Sequence, residues 1–155
     1  MYIDEIFEKE IFPQLKEYLK ENSIYKPEMI KRNEPESKVF PIVTAVIYES
    51  NDKYTNLSYG EETENFYMDI NVYSNDVGKA SKRTVCNEIT NWIIKWFKDN
   101  LKVSITVRKD LQNIDTSIHR NYINIGGVLD TKYGEENYVI YPTLKDSNYY
   151  SWYRR

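Results

Sequence analysis

Length, composition and charge restrict the classes of protein to which this chain can belong. Its 155 residues fit a single domain, 1–155, and the 41% hydrophobic and 29% charged content is ordinary for a soluble globular protein. The net charge of −3 argues against a dedicated nucleic-acid binder, which usually carries a basic face. One cysteine excludes an intrachain disulfide, and no apolar run approaches the ~20 residues of a transmembrane helix.

Tyrosine is unusually frequent, with 15 copies. Its side chain combines a large apolar ring with a hydroxyl that needs a partner, so it suits surfaces that become buried on assembly. An AT-rich genome, which favours Tyr, Asn, Ile and Lys codons, explains the same count. The two explanations are compatible.

The first 38 residues contain helix and loop signals. Apolar residues at spacings of three and four predict a helix from Ile3 to Lys20. Pro13 predicts a kink or a split in that helix, because its ring lacks an N–H and clashes with the preceding turn. Residues 21–38 are polar and predict a long connecting loop, with a short strand around Met29 and Ile30.

Two strands are predicted next. The run from Val39 to Glu49 is rich in β-branched residues and apolar on both faces, as in an interior strand. The run from Glu64 to Tyr73 alternates apolar and polar residues, which predicts a strand with one face on the core. We expect the two strands to pair antiparallel across a charged loop from Ser50 to Thr63. That loop is too long for a tight hairpin and is a candidate binding arm.

The longest helix signal runs from Lys79 to Leu101. Its apolar stripe predicts a helix packed on a core and comprises Val85, Cys86, Ile89, Trp92, Ile93, Trp96 and Phe97. Further strands are predicted at Val103–Arg108, Tyr122–Thr131 and Tyr138–Pro142. Within the second of these, Gly126 and Gly127 indicate a bulge or a close approach of backbones.

These elements together predict an α+β fold. An antiparallel or mixed sheet of about four to five strands would be packed by the long amphipathic helix and the N-terminal helix. The tail at 145–155 carries four aromatic residues. We expect that tail to be loose in the monomer, and docking on a neighbouring molecule would explain its aromatic content.

Side chains with catalytic potential are sparse in this sequence. His119 is the only histidine, and its polar surroundings favour a surface or hydrogen-bonded role over catalysis. Cys86 lies on the apolar stripe of the long helix, which favours a buried, inert thiol. One histidine and one cysteine in different elements are too few for a metal site. The sequence therefore predicts a protein that is not an enzyme and uses no cofactor or metal.

Three features of the central region occur together in a known family. They are a strand that opens with Phe40-Pro41, a strand that ends in Asn-Val-Tyr-Ser-Asn at 71–75, and a loop from Asn113 through Asp115 that leads to Arg120. In this order they resemble the tail-terminator (tail-completion, minor capsid) proteins of long-tailed bacteriophages. The resemblance spans roughly 80 to 90 residues and rests on structural positions, not on a catalytic signature.

The resemblance implies a structural role in the virion. It implies helices packed on a mixed or antiparallel sheet, and a hexameric ring that caps the tail tube and joins it to the head. The implied partners are other copies of the chain, the tail tube protein and a neck or head-completion protein. DNA would pass through the ring without specific binding, and no membrane is involved. The chain after Asp130 has no counterpart in the family pattern.

Eight residues are predicted to lie at the interfaces of this assembly. They belong to the arm, which the resemblance implies at Glu49 to Asn65, to the strand start where an arginine could clamp a carboxylate, and to the aromatic tail: Tyr54, Tyr59, Glu61, Glu62, Glu64, Arg120, Tyr149 and Trp152. For Arg120, an exposed ion pair is the plainer interpretation.

Two alternative functions stay open at this point. One is a head-completion or neck protein, a stopper or adaptor, which has a similar size. The other is a soluble nucleic-acid-contacting module, whose basic helix face would comprise Lys79, Lys82, Arg83, Lys95, Lys98 and Lys102. A solvated helix face is the simpler and favoured explanation of those six residues.

Overall fold

The computed structural model describes residues 3–32, 39–56, 61–111, 115–131 and 137–142, with the backbone alone at 49–56, 61–62 and 110. The fold is α+β, with helices on one face of a mixed sheet, which confirms the predicted class. The helices are α1 (Ile3–Ile6), α2 (Phe12–Asn22) and α3 (Lys82–Asn100), and a π-helical turn at Phe7–Ile11 joins the first two. The described strands are β1 (Glu28–Ile30), β2 (Ile42–Asn56), β3 (Glu61–Ser74), β4 (Ser104–Leu111), β5 (His119–Asp130) and β6 (Val139–Pro142).

The sheet has the order β1-β2-β3-β5-β4, with β6 also paired to β5. The short strand β1 runs parallel to β2, and every other pairing is antiparallel. Strand β4 pairs with β5 up to Gly126, and β6 pairs with β5 from Gly127 onward. Strands β4 and β6 therefore lie end to end along one edge of β5, and β3 covers the other edge.

The N-terminal helix passes Pro13 without splitting. In the π-helical turn just before this proline, the Phe12 N–H donates to the carbonyl of Phe7, five residues back. Proline has no N–H to donate to the carbonyl of Lys9, so an α-helical ladder would lose a bond here in any case. The π-helical turn therefore places Pro13, which lacks a donor, where the series of helical hydrogen bonds is already irregular. Helical residues run from Ile3 to Asn22 without a gap, so the predicted split is wrong, and the change of helix type lies just before Pro13. The kink stays a prediction.

Helix α3 begins and ends close to the predicted bounds. The side chain of Ser81 caps it by accepting a hydrogen bond from the Thr84 N–H at 3.3 Å. Every residue of the predicted apolar stripe is buried except Trp92, which is half-buried. The Trp92 ring packs edge-on against Tyr18 of α2, and its Nε1–H donates to Glu88 at 2.7 Å. Trp92 therefore joins the two helices at their boundary and does not enter the core.

The predicted loop from Ser50 to Thr63 is wrong for most of its length. Strand β2 continues to Asn56 and β3 already begins at Glu61, and the two remain paired to their ends with one irregularity between Glu49 and Lys53. Charged and polar residues in this stretch show no apolar alternation, so no strand signal exists in the sequence. Pairing of the two backbones extends the strands, and that pairing does not depend on an apolar pattern.

Gly127 lies too close to its neighbours to carry a side chain without a shift of one of them. A Cβ atom at this residue would lie 2.7 Å from Cζ of Phe66 and 3.1 Å from the carbonyl oxygen of Tyr141. The register between β3 and β5 runs without a break from Thr63 opposite Asp130 to Ser74 opposite His119. Of the two explanations for the paired glycines, the close approach is therefore right and the bulge is wrong.

Candidate assembly surface

The two faces of the sheet differ in chemistry. One face, the core face, packs against the helices, and its strand residues are at most 1% exposed: Val43, Ala45, Phe66, Met68, Ile70, Val72, Ile123, Ile125 and Leu129. Successive side chains of a strand point to opposite sides, so the residues between these form a second surface. We call that second surface the outer face.

Asp69 lies at the centre of the outer face. Its Oδ1 accepts hydrogen bonds from the hydroxyl of Tyr122 at 2.5 Å and from Nδ2 of Asn124 at 3.0 Å. The register of β3 and β5 sets Asp69 directly opposite Asn124, so backbone pairing brings the three groups together. Burial raises the pKa of Tyr122, and the hydrogen bond to Asp69 raises it further. The phenol therefore stays protonated and holds a fixed position at neutral pH.

Arg120 is held on the same face one step along the strands. Its Nε–H donates to Oδ1 of Asn71 at 2.8 Å, and its guanidinium carbon lies 5.8 Å from the ring centroid of Tyr73. Tyr73 is the direct partner of Arg120 across the β3–β5 ladder. A hydrogen bond and a cation–π contact thus orient a half-buried arginine. Among the described residues, only this one hydrogen bond of the Arg120 guanidinium is seen. Its terminal donors suit a carboxylate or a carbonyl of a partner.

The other predicted interface residues fall in three places. Tyr54 lies on the paired backbone of β2, and Glu61 and Glu62 lie on that of β3. Glu64 is on the core face opposite Leu129 and is only 5% exposed, so it offers little surface to a partner. The predicted interface residues outside the described residues are Tyr59, Tyr149 and Trp152.

The positions suggested by the family resemblance are structural ones. Asp115 shapes the turn before β5, because its Oδ1 accepts from the N–H of Ser117 at 2.9 Å and from its hydroxyl at 2.6 Å. Arg120 is the second residue of β5 and lies on the outer face opposite Tyr73. Phe40 lies two residues before β2, and Asn113 lies outside the described residues.

A polar cluster on the core face was not predicted from the sequence. Asn121 is completely buried, and its Nδ2 donates to Oδ1 of Asn87 at 3.0 Å and to Oγ1 of Thr90 at 2.9 Å. Nε2 of His119 lies 2.9 Å from Oδ1 of Asn121, which agrees with the hydrogen-bonded role expected of the histidine. The signal was available, since Asn121 occupies an inward position in the alternation that continues with Ile123 and Ile125. The cluster joins α3 to β5.

The environment of Cys86 fits the inert thiol that the sequence predicts. The side chain is fully buried, and its Sγ lies within 3.6 Å of the Val72 carbonyl oxygen and 3.5 Å of that of His119. Burial raises the thiol pKa to about 12. At neutral pH the thiolate needed for nucleophilic attack is therefore scarce.

Two residues of the proposed basic helix face take part in intramolecular contacts. The ammonium of Lys82 donates to the carbonyl oxygen of Thr116 at 2.6 Å, which anchors the loop before β5. Lys95 pairs with Asp99 at 3.1 Å on the exposed side of α3, and this contact raises the Lys95 pKa. Both observations favour the simpler interpretation of a solvated face with local structural contacts.

Comparisons with known proteins do not assign this chain to a family. No protein-family model matches it, and no curated protein is significantly similar in sequence. Within the described part of the chain, no three His, Cys, Asp or Glu side chains are grouped so that they could hold a metal ion. None of the described helices is long and apolar enough to span a membrane.

Proposed function

We propose that this protein is a structural, self-associating component of the phage head–tail connection, a tail terminator that forms a ring on the tail tube. One observation carries the proposal. The helices cover the sheet on one side, while the outer face presents an ordered array of arginine, tyrosine, asparagine and aspartate side chains. Tyrosine and arginine are the residue types enriched where protein surfaces meet.

The order of this array favours binding. Association costs free energy for every side chain that must be immobilised at the interface. Tyr122 and Asn124 are already fixed by Asp69, and Arg120 is already fixed by Asn71 and Tyr73. A partner therefore meets groups that need little further ordering.

The proposed assembly has a defined set of contacts. Copies of the chain form a closed ring, hexameric in the resembled family, whose one side meets the tail tube protein and whose other side meets a neck protein. DNA crosses the ring without sequence-specific contacts. The protein does no chemistry in this role and needs no cofactor.

The test of the proposal is the oligomeric state, alone and with the tail tube protein that the proposal requires as a partner. Native mass spectrometry and sedimentation velocity should show a closed oligomer in at least one of the two conditions. Arg120→Glu should reduce the assembled fraction while the circular dichroism spectrum is unchanged, whereas Lys20→Glu, on the exposed side of α2, should not. A strict monomer up to millimolar concentration in both conditions would refute the proposal.

The binding partner distinguishes a head-completion or adaptor protein from a tail terminator. The terminator binds tail tube protein in a pull-down and leaves the portal protein unbound. Binding to the portal protein and not to the tail tube protein would instead indicate a head-completion or adaptor protein, which is also a structural role.

A further inference from the structure

We infer that copies of this protein associate head to tail, with an acidic hairpin of one copy against the basic strand β4 of the next. The acidic hairpin is defined by the backbone of Glu49–Asn56 in β2 and Glu61–Glu64 in β3. The inference rests on the proposed self-association and adds a contact at the strand edges to the outer face on which that proposal rests.

The acidic hairpin and β4 lie toward opposite edges of one sheet. Strand β1 pairs with β2 only from Ile42 to Thr44. Beyond Thr44, none of the described strands pairs with the edge of β2 that lies away from β3. Strand β4 pairs with β5 on one side, and no strand in the described ranges pairs with it on the other. Open strand edges carry backbone donors and acceptors that a second molecule can satisfy.

The two edges carry opposite charge. In the sequence of the acidic hairpin, Lys53 is the only basic residue, and the carboxylates that count toward its surface charge are Glu49, Asp52, Glu61 and Glu62. Glu64 is buried and does not count. Beside and within β4, Lys102, Arg108 and Lys109 are exposed, and Asp110 is the only carboxylate. None of these three cations forms an ion pair with another described residue. The two surfaces are thus electrostatically complementary to each other and repulsive to themselves.

Complementarity between different surfaces determines the geometry of association. Two hairpins, or two β4 strands, would repel each other, so a symmetric pair of identical surfaces is disfavoured. In a contact between unlike surfaces, each copy binds one neighbour through its hairpin and another through its β4. Such contacts produce a ring when the rotation between successive copies returns to the first copy. The surfaces are also offset along the strands, because the hairpin extends past the pairing of Thr63 with Asp130 whereas Arg108 pairs with Tyr122.

Reciprocal charge reversal tests this contact. Glu61→Lys with Glu62→Lys puts two cations at the start of β3 and removes the net negative charge of the hairpin, and Arg108→Glu with Lys109→Glu makes the β4 edge acidic. Each double variant alone should associate at least about tenfold more weakly than the wild type at ~50 mM salt. A 1:1 mixture of the two should regain association, because the lysines at 61 and 62 of one variant then meet the acidic β4 of the other, and the wild-type hairpin meets the wild-type β4. The quadruple variant should associate by itself.

Matched variants control for net charge. Glu17→Lys with Glu21→Lys changes the charge as the hairpin variant does, and Lys9→Glu with Lys20→Glu matches the β4 variant. All four side chains are exposed on the N-terminal helix. Neither control should change association, and circular dichroism and thermal unfolding confirm that each variant is folded.

Sedimentation velocity of the wild type, the variants and the mixture separates the outcomes. Variants that assemble as the wild type does would overturn this contact and leave the proposed ring intact. The contact is also wrong if folded variants fail to regain association in the mixture. If Arg108→Glu with Lys109→Glu loses binding to a 30-base-pair DNA duplex while Glu61→Lys with Glu62→Lys associates normally, β4 is a nucleic-acid surface and the inference falls. A wild type that stays monomeric with and without tail tube protein would remove the proposed function itself.

Discussion

Strands β3 and β5 carry two different surfaces on the same pair of backbones. On the core face, Phe66, Met68 and Ile125 are fully buried against the helices. On the outer face, Asp69 and Tyr122 form hydrogen bonds and stay partly accessible. Because side chains alternate along a strand, one ladder supports the fold on one side and presents a binding surface on the other. We therefore expect the two faces to respond differently to substitution.

The largest expected difference is between two neighbouring residues of β3. Phe66 is fully buried on the core face, whereas Tyr67 is half-buried on the outer face. Phe66→Ala should lower the free energy of unfolding by about 3–5 kcal/mol, because it leaves a cavity in the core. Tyr67→Ala should cost about 1 kcal/mol. Urea denaturation of both variants measures the difference, and equal losses would contradict the assignment of the faces.

A second prediction tests the close packing at Gly127. Gly127→Ala should lower the free energy of unfolding by about 2 kcal/mol, because the added methyl group meets the Phe66 ring and a backbone oxygen. Combining it with Phe66→Leu should cost less than the sum of the two single losses, since the smaller side chain makes room. A double-mutant cycle measures this coupling, and strict additivity would show that the ring is not the obstacle.

A third prediction compares the polar groups of the two faces. Asn121→Leu removes the shared partner of Asn87, Thr90 and His119, and should cost about 1–2 kcal/mol because buried polar groups are left unpaired. Asp69→Asn keeps an oxygen that accepts from Tyr122, and should cost less than about 1 kcal/mol. Thermal unfolding ranks the two variants, and the reverse order would place the stabilising network on the outer face.

The smallest expected effect is a dependence of stability on alkaline pH. Tyr138 donates to Glu10, and burial followed by this hydrogen bond raises its pKa to about 12. Its folded-state pKa lies above the unfolded value near 10, so this contribution is complete below pH ~10 and is lost as the pH rises toward 12. We expect a loss of about 1 kcal/mol, reduced by the partial exposure of the pair.

Tyr138→Phe is the control for the pH prediction. This variant should lose stability less steeply between pH ~10 and 12 than the wild type does. The raised pKa of Cys86 remains in both proteins and contributes a shared loss that begins near the unfolded thiol pKa of about 9. Identical slopes for the two proteins would show that Tyr138 does not contribute.

The predicted surface and the observed one overlap only in part. Arg120 was selected because it begins a strand, and it lies on the outer face with its guanidinium already oriented. Glu64 was selected as part of a charged loop, yet it is buried on the core face because β3 extends past it. Asp69 and Tyr122 were not selected, because each looks like an ordinary outward residue until the register places them together.

The sequence by itself determined the helices and strands that bury an apolar face, because burial of one face makes apolar residues recur at the period of the helix or strand. The stripe of α3 and the alternation of β3 could both be predicted in this way. Only the tertiary structure decided the length of the β2–β3 hairpin and the partners of Asp69 and Asn121. The hairpin depends on backbone pairing. The partners of Asp69 on β5 and of Asn121 on α3 lie 31 to 55 positions away, and such contacts impose no local pattern on the residues that make them.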